Sequence, residues 1–341
     1  MVKIFLFPLL IFIASCSNLR LPSVNPSTWI SDSFSVLSGK TLKEITLPGT
    51  HDSGSYKLTW LPMPGAESAK LEAAAKVAEE LFVPTEWVIK DWARSQDEDF
   101  YSQMQGGIRY FDLRCGWDNS TQQWRTFHFL IGNPIDSLLQ GISKFLKDYP
   151  KEIVVVETSH YDGSPSESNV EALRDLVLEH LGEYLFPVNL SFNFTVGDMI
   201  SSGKRAIVTM DHKDYKAYNI WPGDTIYNTY ADSDNLETMI SYNNKTVEYF
   251  ETGKWGKGLF KISWTLTPNE ETILETLLFW KPHSLIELAD TANPALPQFV
   301  KSITCKNWRT GNILIIDHYD KSSILEVVLE MNGIHSPLMV N

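Results

Sequence analysis

Along almost the whole chain, short apolar runs rich in Val, Ile and Leu alternate with amphipathic segments of helical period, and this alternation constrains the fold most. Strands are predicted at Glu44–Leu47, Ile108–Arg114, Arg125–Leu130, Glu152–Thr158, Ala206–Asp211, Leu259–Leu266 and Ile313–His318. Helices are predicted between and after them, at Ile135–Tyr149, Ser166–Tyr184, Leu236–Glu251, Leu296–Ile303 and Ser322–Met331. In the first of these, Leu138, Ile142, Phe145 and Leu146 share one face, and Pro150 ends the helix. Such alternation makes an α/β protein with a parallel sheet covered by helices. No Gly-x-Gly-x-x-Gly loop follows the first strand, so a distorted TIM (β/α) barrel fits better than a dinucleotide-binding open sheet.

The two ends of the chain set its organisation. Lys3, an apolar run from Ile4 to Ile13 and the small residues Ala14–Ser17 read as a signal peptide over residues 1–16. The run is too short for a permanent membrane helix, which needs about 20 apolar residues. Ile13-Ala14-Ser15-Cys16 also fits a lipobox, with Cys16 carrying lipid, so secretion and extracytoplasmic membrane anchoring are both open. Asn119, Asn189, Asn193 and Asn244 begin glycosylation triplets. Past the signal, Cys115 and Cys305 are either a disulfide or two free thiols. The remainder, residues 25–341, is expected to be one barrel domain with a helical insertion at about 64–94. Trp60 just before that insertion and Trp87 and Trp92 within it belong to a lid or a membrane-touching rim. A net charge of −13 argues against nucleic acid as a partner and against broad docking to an anionic membrane.

Strand after strand ends in groups able to do chemistry, and in a barrel those ends meet on one face. Pro48-Gly49 makes a tight turn that presents His51 and Asp52. Asp112 and Arg114, two apart on one strand, face the same side while Arg109 faces the other. They either neutralise each other or let Arg114 grip a phosphate while Asp112 holds it. His128 lies in an apolar strand and gains weight from its neighbours. Two histidines flanking a phosphate-binding cation suffice for phosphodiester cleavage, one removing and one supplying a proton. Zinc-type Cys spacing and His-Glu-x-x-His are absent, and Arg114 would repel a cation, so no metal or other cofactor is expected.

Leu47-Pro-Gly-Thr-His-Asp-Ser-Gly-Ser-Tyr56, Gln103–Arg114, and His128 followed by Phe145–Pro150 and Glu152–Val156 resemble successive motifs of the phosphatidylinositol-specific phospholipase C X-domain family. Asn293-Pro294 to Glu330 is similar to its closing strand and helix, so the resemblance spans roughly residues 42–331. It implies a PLC-like phosphodiesterase barrel that cleaves an inositol phospholipid to diacylglycerol and inositol 1,2-cyclic phosphate. His51 would be the general base and His128, helped by Asp52, the general acid. Arg114 would bind phosphate, Asp112 would orient it, and Asp317 or its neighbour His318 would hold His51 in its working tautomer. The calcium-dependent branch has acidic ligands at Arg114 and Asn at Asp52, so the likeness is to the metal-free bacterial type. In that type a lysine and an arginine line the sugar pocket, where this chain offers Glu157 or Thr158, and Asp211-His212; Tyr230 would stack beneath the ring. The expected partner is a phospholipid at a membrane surface, met by a monomer. The alternatives are a metal-dependent glycerophosphodiester phosphodiesterase-like enzyme and a catalytically silent headgroup-binding protein.

Overall fold

A computed structural model describes residues 23–66, 76, 79, 80, 85–211, 214–253, 258–269, 271–273, 275, 284–304 and 311–335. The signal segment with Cys16, most of residues 67–84, His212 and Cys305 lie outside the described residues.

The frame is a ten-stranded sheet with eight strands in the spatial order β7-β6-β5-β2-β1-β10-β9-β8. These are β1 (Leu47–Thr50), β2 (Tyr110–Asp118), β5 (Val154–Asp162), β6 (Ala206–Met210), β7 (Trp221–Pro222), β8 (Ile226–Tyr227), β9 (Leu259–Trp264) and β10 (Ile313–Ile316). Every pairing along this path is parallel. Read as a ring, the strands follow chain order with one unpaired seam, between the two-residue strands β7 and β8. The fold is therefore an α/β barrel left open at one joint. Side chains from β2, β6, β9 and β10 are almost all buried, as strands covered on both faces require. The helix Ile135–Asp148 seals the outside with Leu138, Ile142, Phe145 and Leu146 buried. Among the described residues no helix is long and apolar enough to cross a membrane.

Two expectations change. The first strand starts at Leu47 rather than Glu44, because Leu47 is where pairing with Ile313 begins, and Pro48 and Gly49, expected as a tight turn, lie inside the strand and pair with β10. More consequentially, the strand carrying His128 is not in the parallel ring. It is β3 (Gln123–His128), antiparallel to β2 and followed by β4 (Leu130–Pro134), which is antiparallel to β3. β2 rises past the barrel mouth, turns at Asn119–Gln122, and the chain comes back down beside it. The turn is built by Asp118, whose Oδ1 accepts from the Ser120 amide at 2.9 Å and whose Oδ2 accepts from Thr121 Oγ1 at 2.7 Å. Gly54 permits the returning strand to press on the loop after β1: a Cβ there would lie 2.3 Å from Thr126 Cγ2.

At the opposite mouth, Arg109 and Glu152 precede β2 and β5 and form a fully buried ion pair, Nη2 to Oε2 2.8 Å. Arg109 also donates to the carbonyls of Met104, Ile108 and Ser27, and Glu152 accepts from the Ser31 amide. The pair staples the N-terminal segment across the barrel floor. Of the tryptophans expected on the lid or rim, Trp92 is buried, Trp60 is exposed beneath Lys90, and the Trp87 side chain is outside the described residues. Cys115 is a buried free thiol. Because the floor pair leaves an unpaired buried charge when halved, Glu152→Gln is expected to cost roughly 3–5 kcal/mol in urea unfolding, and Arg109→Met/Glu152→Leu together much less. Equal losses for the single and double variants would refute this.

Candidate active site

At the mouth away from the Arg109–Glu152 pair one carboxylate organises everything around it. Asp52 is 1% exposed and sits in the left-handed backbone region, φ 41°, a conformation that Asp tolerates better than most residues. Its Oδ1 lies 2.5 Å from Arg114 Nε. Its Oδ2 faces both histidines, 3.3 Å from His51 Nε2 and 3.5 Å from His128 Nε2. The two rings are 6.3 Å apart between centroids and inclined at 72°. Neither carboxylate oxygen accepts a well-directed hydrogen bond, so the group is held by surrounding positive charge rather than by donors.

Each imidazole is anchored through its far nitrogen. His51 Nδ1 is 2.9 Å from Asp317 Oδ1, so Nδ1 carries the proton and Nε2 faces the site. His128 Nδ1 is 2.9 Å from the Ala93 carbonyl, which can only accept, so again Nε2 is the atom left free. His318, the alternative partner for His51, is fully buried and bonds instead to Asp97 and the Arg94 carbonyl.

The charges differ sharply between the rings. Burial pulls the His51 pKa down, but the carboxylates of Asp52 and Asp317 and the Asp317 hydrogen bond outweigh it and push it up to about 9. Burial also lowers His128; Asp52 opposes this, Arg114 and His51 reinforce it, and the net value falls below the ordinary one. Burial would raise Asp52, yet Arg114 first and then the two histidines hold it well below the usual carboxylate range.

The other expected site residues divide into those near this cluster and those apart from it. Asp112 offers a carboxylate oxygen within 4.8 Å of ligand atoms of His51 and Asp52, a set able to hold a metal ion. It does not pair with Arg114, whose ion pair is Asp52, so the expected Asp112–Arg114 contact is replaced. Glu157 stands beside Asp112 in the β2–β5 register but is tied to Lys261 Nζ at 2.7 Å and to the Tyr110 hydroxyl. Tyr230 is 54% exposed. His212 lies outside the described residues.

Three contributors escaped the sequence reading. Lys261, buried in the barrel beneath Asp112, could have been suspected as a charge inside the apolar run Leu259–Trp264. His160 stands near Arg114 and Asp52, and its pKa is lowered by burial and by Arg114. The irregular stretch from Arg94 to Gln96, just after the helix Thr85–Ala93, carried no sequence signal. Removing one of the carboxylates that charge His51 must lower its pKa. Asp317→Asn is accordingly expected to move the His51 titration, followed by NMR, from about 9 towards the ordinary 6.5. A midpoint that stays near 9 would contradict this assignment of cause.

No protein-family model matches the chain. Curated proteins do. It is 26% identical over 311 residues to PI-PLC X domain-containing protein 2 of Mus musculus, covering 90% of this chain and 87% of that one. It is 24% identical over 300 residues to PI-PLC X domain-containing protein 3 of Homo sapiens, covering 85% and 88%. Among solved structures, phosphatidylinositol-specific phospholipase C from Listeria monocytogenes superposes with a TM-score of 0.61 at 16% identity, over 92% of this chain and all of that one. The phosphatidylinositol-specific phospholipase C of S. aureus gives 0.62 at 17% identity, over 90% and 98%. The chain is thus a relative in sequence of the PI-PLC X domain-containing proteins, built on the barrel fold of the bacterial phosphatidylinositol-specific phospholipases C.

Proposed function

We propose that this protein cleaves a phosphodiester by attack of a neighbouring hydroxyl, releasing an alcohol and leaving a cyclic phosphate. The observation that carries the reading is the pair of Nε2 atoms converging on Asp52 Oδ2, with Arg114 on the other oxygen of the same carboxylate. A phosphate entering beside Arg114 would lie between the two rings, where the guanidinium can neutralise charge building on its oxygens. His51 Nε2 takes the proton of the attacking hydroxyl as the new P–O bond forms. His128 Nε2–H gives its proton to the departing oxygen as the old P–O bond breaks, and the proton count balances. Because the nucleophile belongs to the substrate, holding it in line is most of the work.

The names of the relatives and structural neighbours supply the substrate part of the proposal, phosphatidylinositol at a lipid surface. Exposed Trp60 and Leu61, beside the helix Thr85–Ala93, are suited to lie against such a surface. A divalent cation shared by His51, Asp52 and Asp112 is the competing chemistry, and it would have to displace the Arg114 guanidinium from Asp52.

One observation favours a variant with the roles exchanged. In the resting protein His51 is the ring held charged and His128 the ring held neutral, the reverse of base and acid in the forward step. That charge state matches the one left after cyclisation, ready for water to open the cyclic product. Either assignment gives a bell-shaped pH profile with its alkaline limb near 9 and its acid limb below 6.5. Leaving-group dependence separates them. With His128 as the acid, His128→Ala is expected to lose roughly 100- to 10,000-fold in kcat on an alkyl phosphodiester and little on a p-nitrophenyl ester, which departs without a proton. His51→Ala should lose activity on both. The opposite pattern would exchange the roles, and full activity in both variants would end the proposal.

A further inference from the structure

We infer that His318 is a positioning residue for His128, acting through the strap Ala93–Asp97 that leaves the helix Thr85–Ala93. The consequence for turnover rests on the acid–base reading above; the geometric half stands apart from it.

His128 sits at the end of a hairpin strand outside the parallel ring, and its own ladder does not fix the rotation of the imidazole. What fixes it is the strap. The Ala93 carbonyl takes Nδ1 at 2.9 Å, and Ser95 Oγ approaches the same nitrogen at 3.4 Å. Ala93 ends a nine-residue helix, so its carbonyl has no later turn to bond and carries the negative end of the helix dipole. That end favours a proton on the ring facing it.

The strap has no secondary structure of its own beyond Ala93, and His318 holds it at three points. Its Nε2 is 3.0 Å from the Arg94 carbonyl, its Nδ1 is 3.0 Å from Asp97 Oδ2, and its amide donates to the Ser95 carbonyl at 2.8 Å. The ring is wholly buried and its backbone is left-handed, φ 46°, a conformation disfavoured for a side chain of this size. Gln96 reinforces the clamp by donating to the carbonyls of His51 and Ile316, both 3.0 Å away. A residue one position after the partner of His51 is therefore committed to the other histidine. Both imidazoles are indexed to the end of β10: His51 through the Asp317 side chain, and His128 through His318 and the strap.

The test uses the full chain labelled with nitrogen-15. Long-range proton–nitrogen spectra of wild type should show neutral His128 protonated at Nδ1. His318→Asn suits the left-handed backbone but cannot bridge both strap acceptors, and it is expected to give a mixture of Nδ1–H and Nε2–H tautomers at His128. Its kcat on an alkyl phosphodiester should fall about 10-fold or more, short of the roughly 100- to 10,000-fold of losing a general acid outright. KM and cleavage of a p-nitrophenyl ester should stay near wild type, a split that general loosening of the barrel would not produce. A folded His318→Asn protein with the wild-type His128 tautomer overturns the inference. Should that variant fail to fold, Asp97→Asn carries the same readout: a tautomer mixture supports the inference and an unchanged spectrum overturns it. If wild type cleaves no phosphodiester, the acid–base reading falls, while the His128 spectra still decide whether the strap positions the ring.

Discussion

The Asp52 carboxylate is the constraint on which the rest of this site depends. A carboxylate taken out of water is costly unless opposite charge surrounds it, and here Arg114 and His51 supply that charge from different parts of the chain, with the His128 ring beside them. The requirement runs both ways. Asp52 keeps His51 charged and draws the guanidinium and both rings to one point, so that removing it would leave two positive groups, Arg114 and His51, facing each other beside the His128 ring. The two rings share one oxygen while Arg114 takes the other.

Getting three elements to that point explains two oddities of the barrel. β2 is longer than a ring strand needs to be, because its upper half carries Arg114 and then serves as the template on which β3 descends. The descent returns His128 to the level of the loop after β1, and the bare Gly54 lets the strand approach closely enough. At the other mouth, Arg109 and Glu152 use the same strands for stability alone. The histidine cluster thus lies at the C-terminal ends of the strands and the staple at their N-terminal ends, the two faces that barrels commonly set to different uses. Beneath the site, Lys261, Glu157 and Tyr110 form a buried polar floor that meets its own hydrogen-bonding needs.

Much of this was legible in the residues, and the gaps have physical causes. His51 and Asp52 could be found because they follow an apolar run, although Pro48 and Gly49, read as a turn, are residues of β1 itself. The two-residue alternation put Asp112 and Arg114 on one side of β2. It could not reveal that Asp52, sixty-odd positions earlier, would reach Arg114 first. A period of two is the same for parallel and antiparallel strands, so the His128 strand read as part of the ring. The signal for its reversal was the Asp118–Gln122 turn. β7 and β8 are two residues long and have no period to read. Whether Asp317 or His318 faces His51 turns on a one-residue register, beyond the reach of pattern, and the structure gives each residue a separate task. Glu157 was read as facing substrate because its partner Lys261 comes from a strand about a hundred residues away.

The account stands most directly on phosphorus NMR of the full-length protein mixed with phosphatidylinositol in detergent micelles, with EDTA in excess. It predicts a cyclic phosphate resonance that grows with time, slows by at least about 100-fold in Arg114→Ala, and is indifferent to the chelator. A spectrum that stays silent in EDTA and recovers when calcium or magnesium is added would contradict it. That result would hand the site at His51, Asp52 and Asp112 to a metal ion.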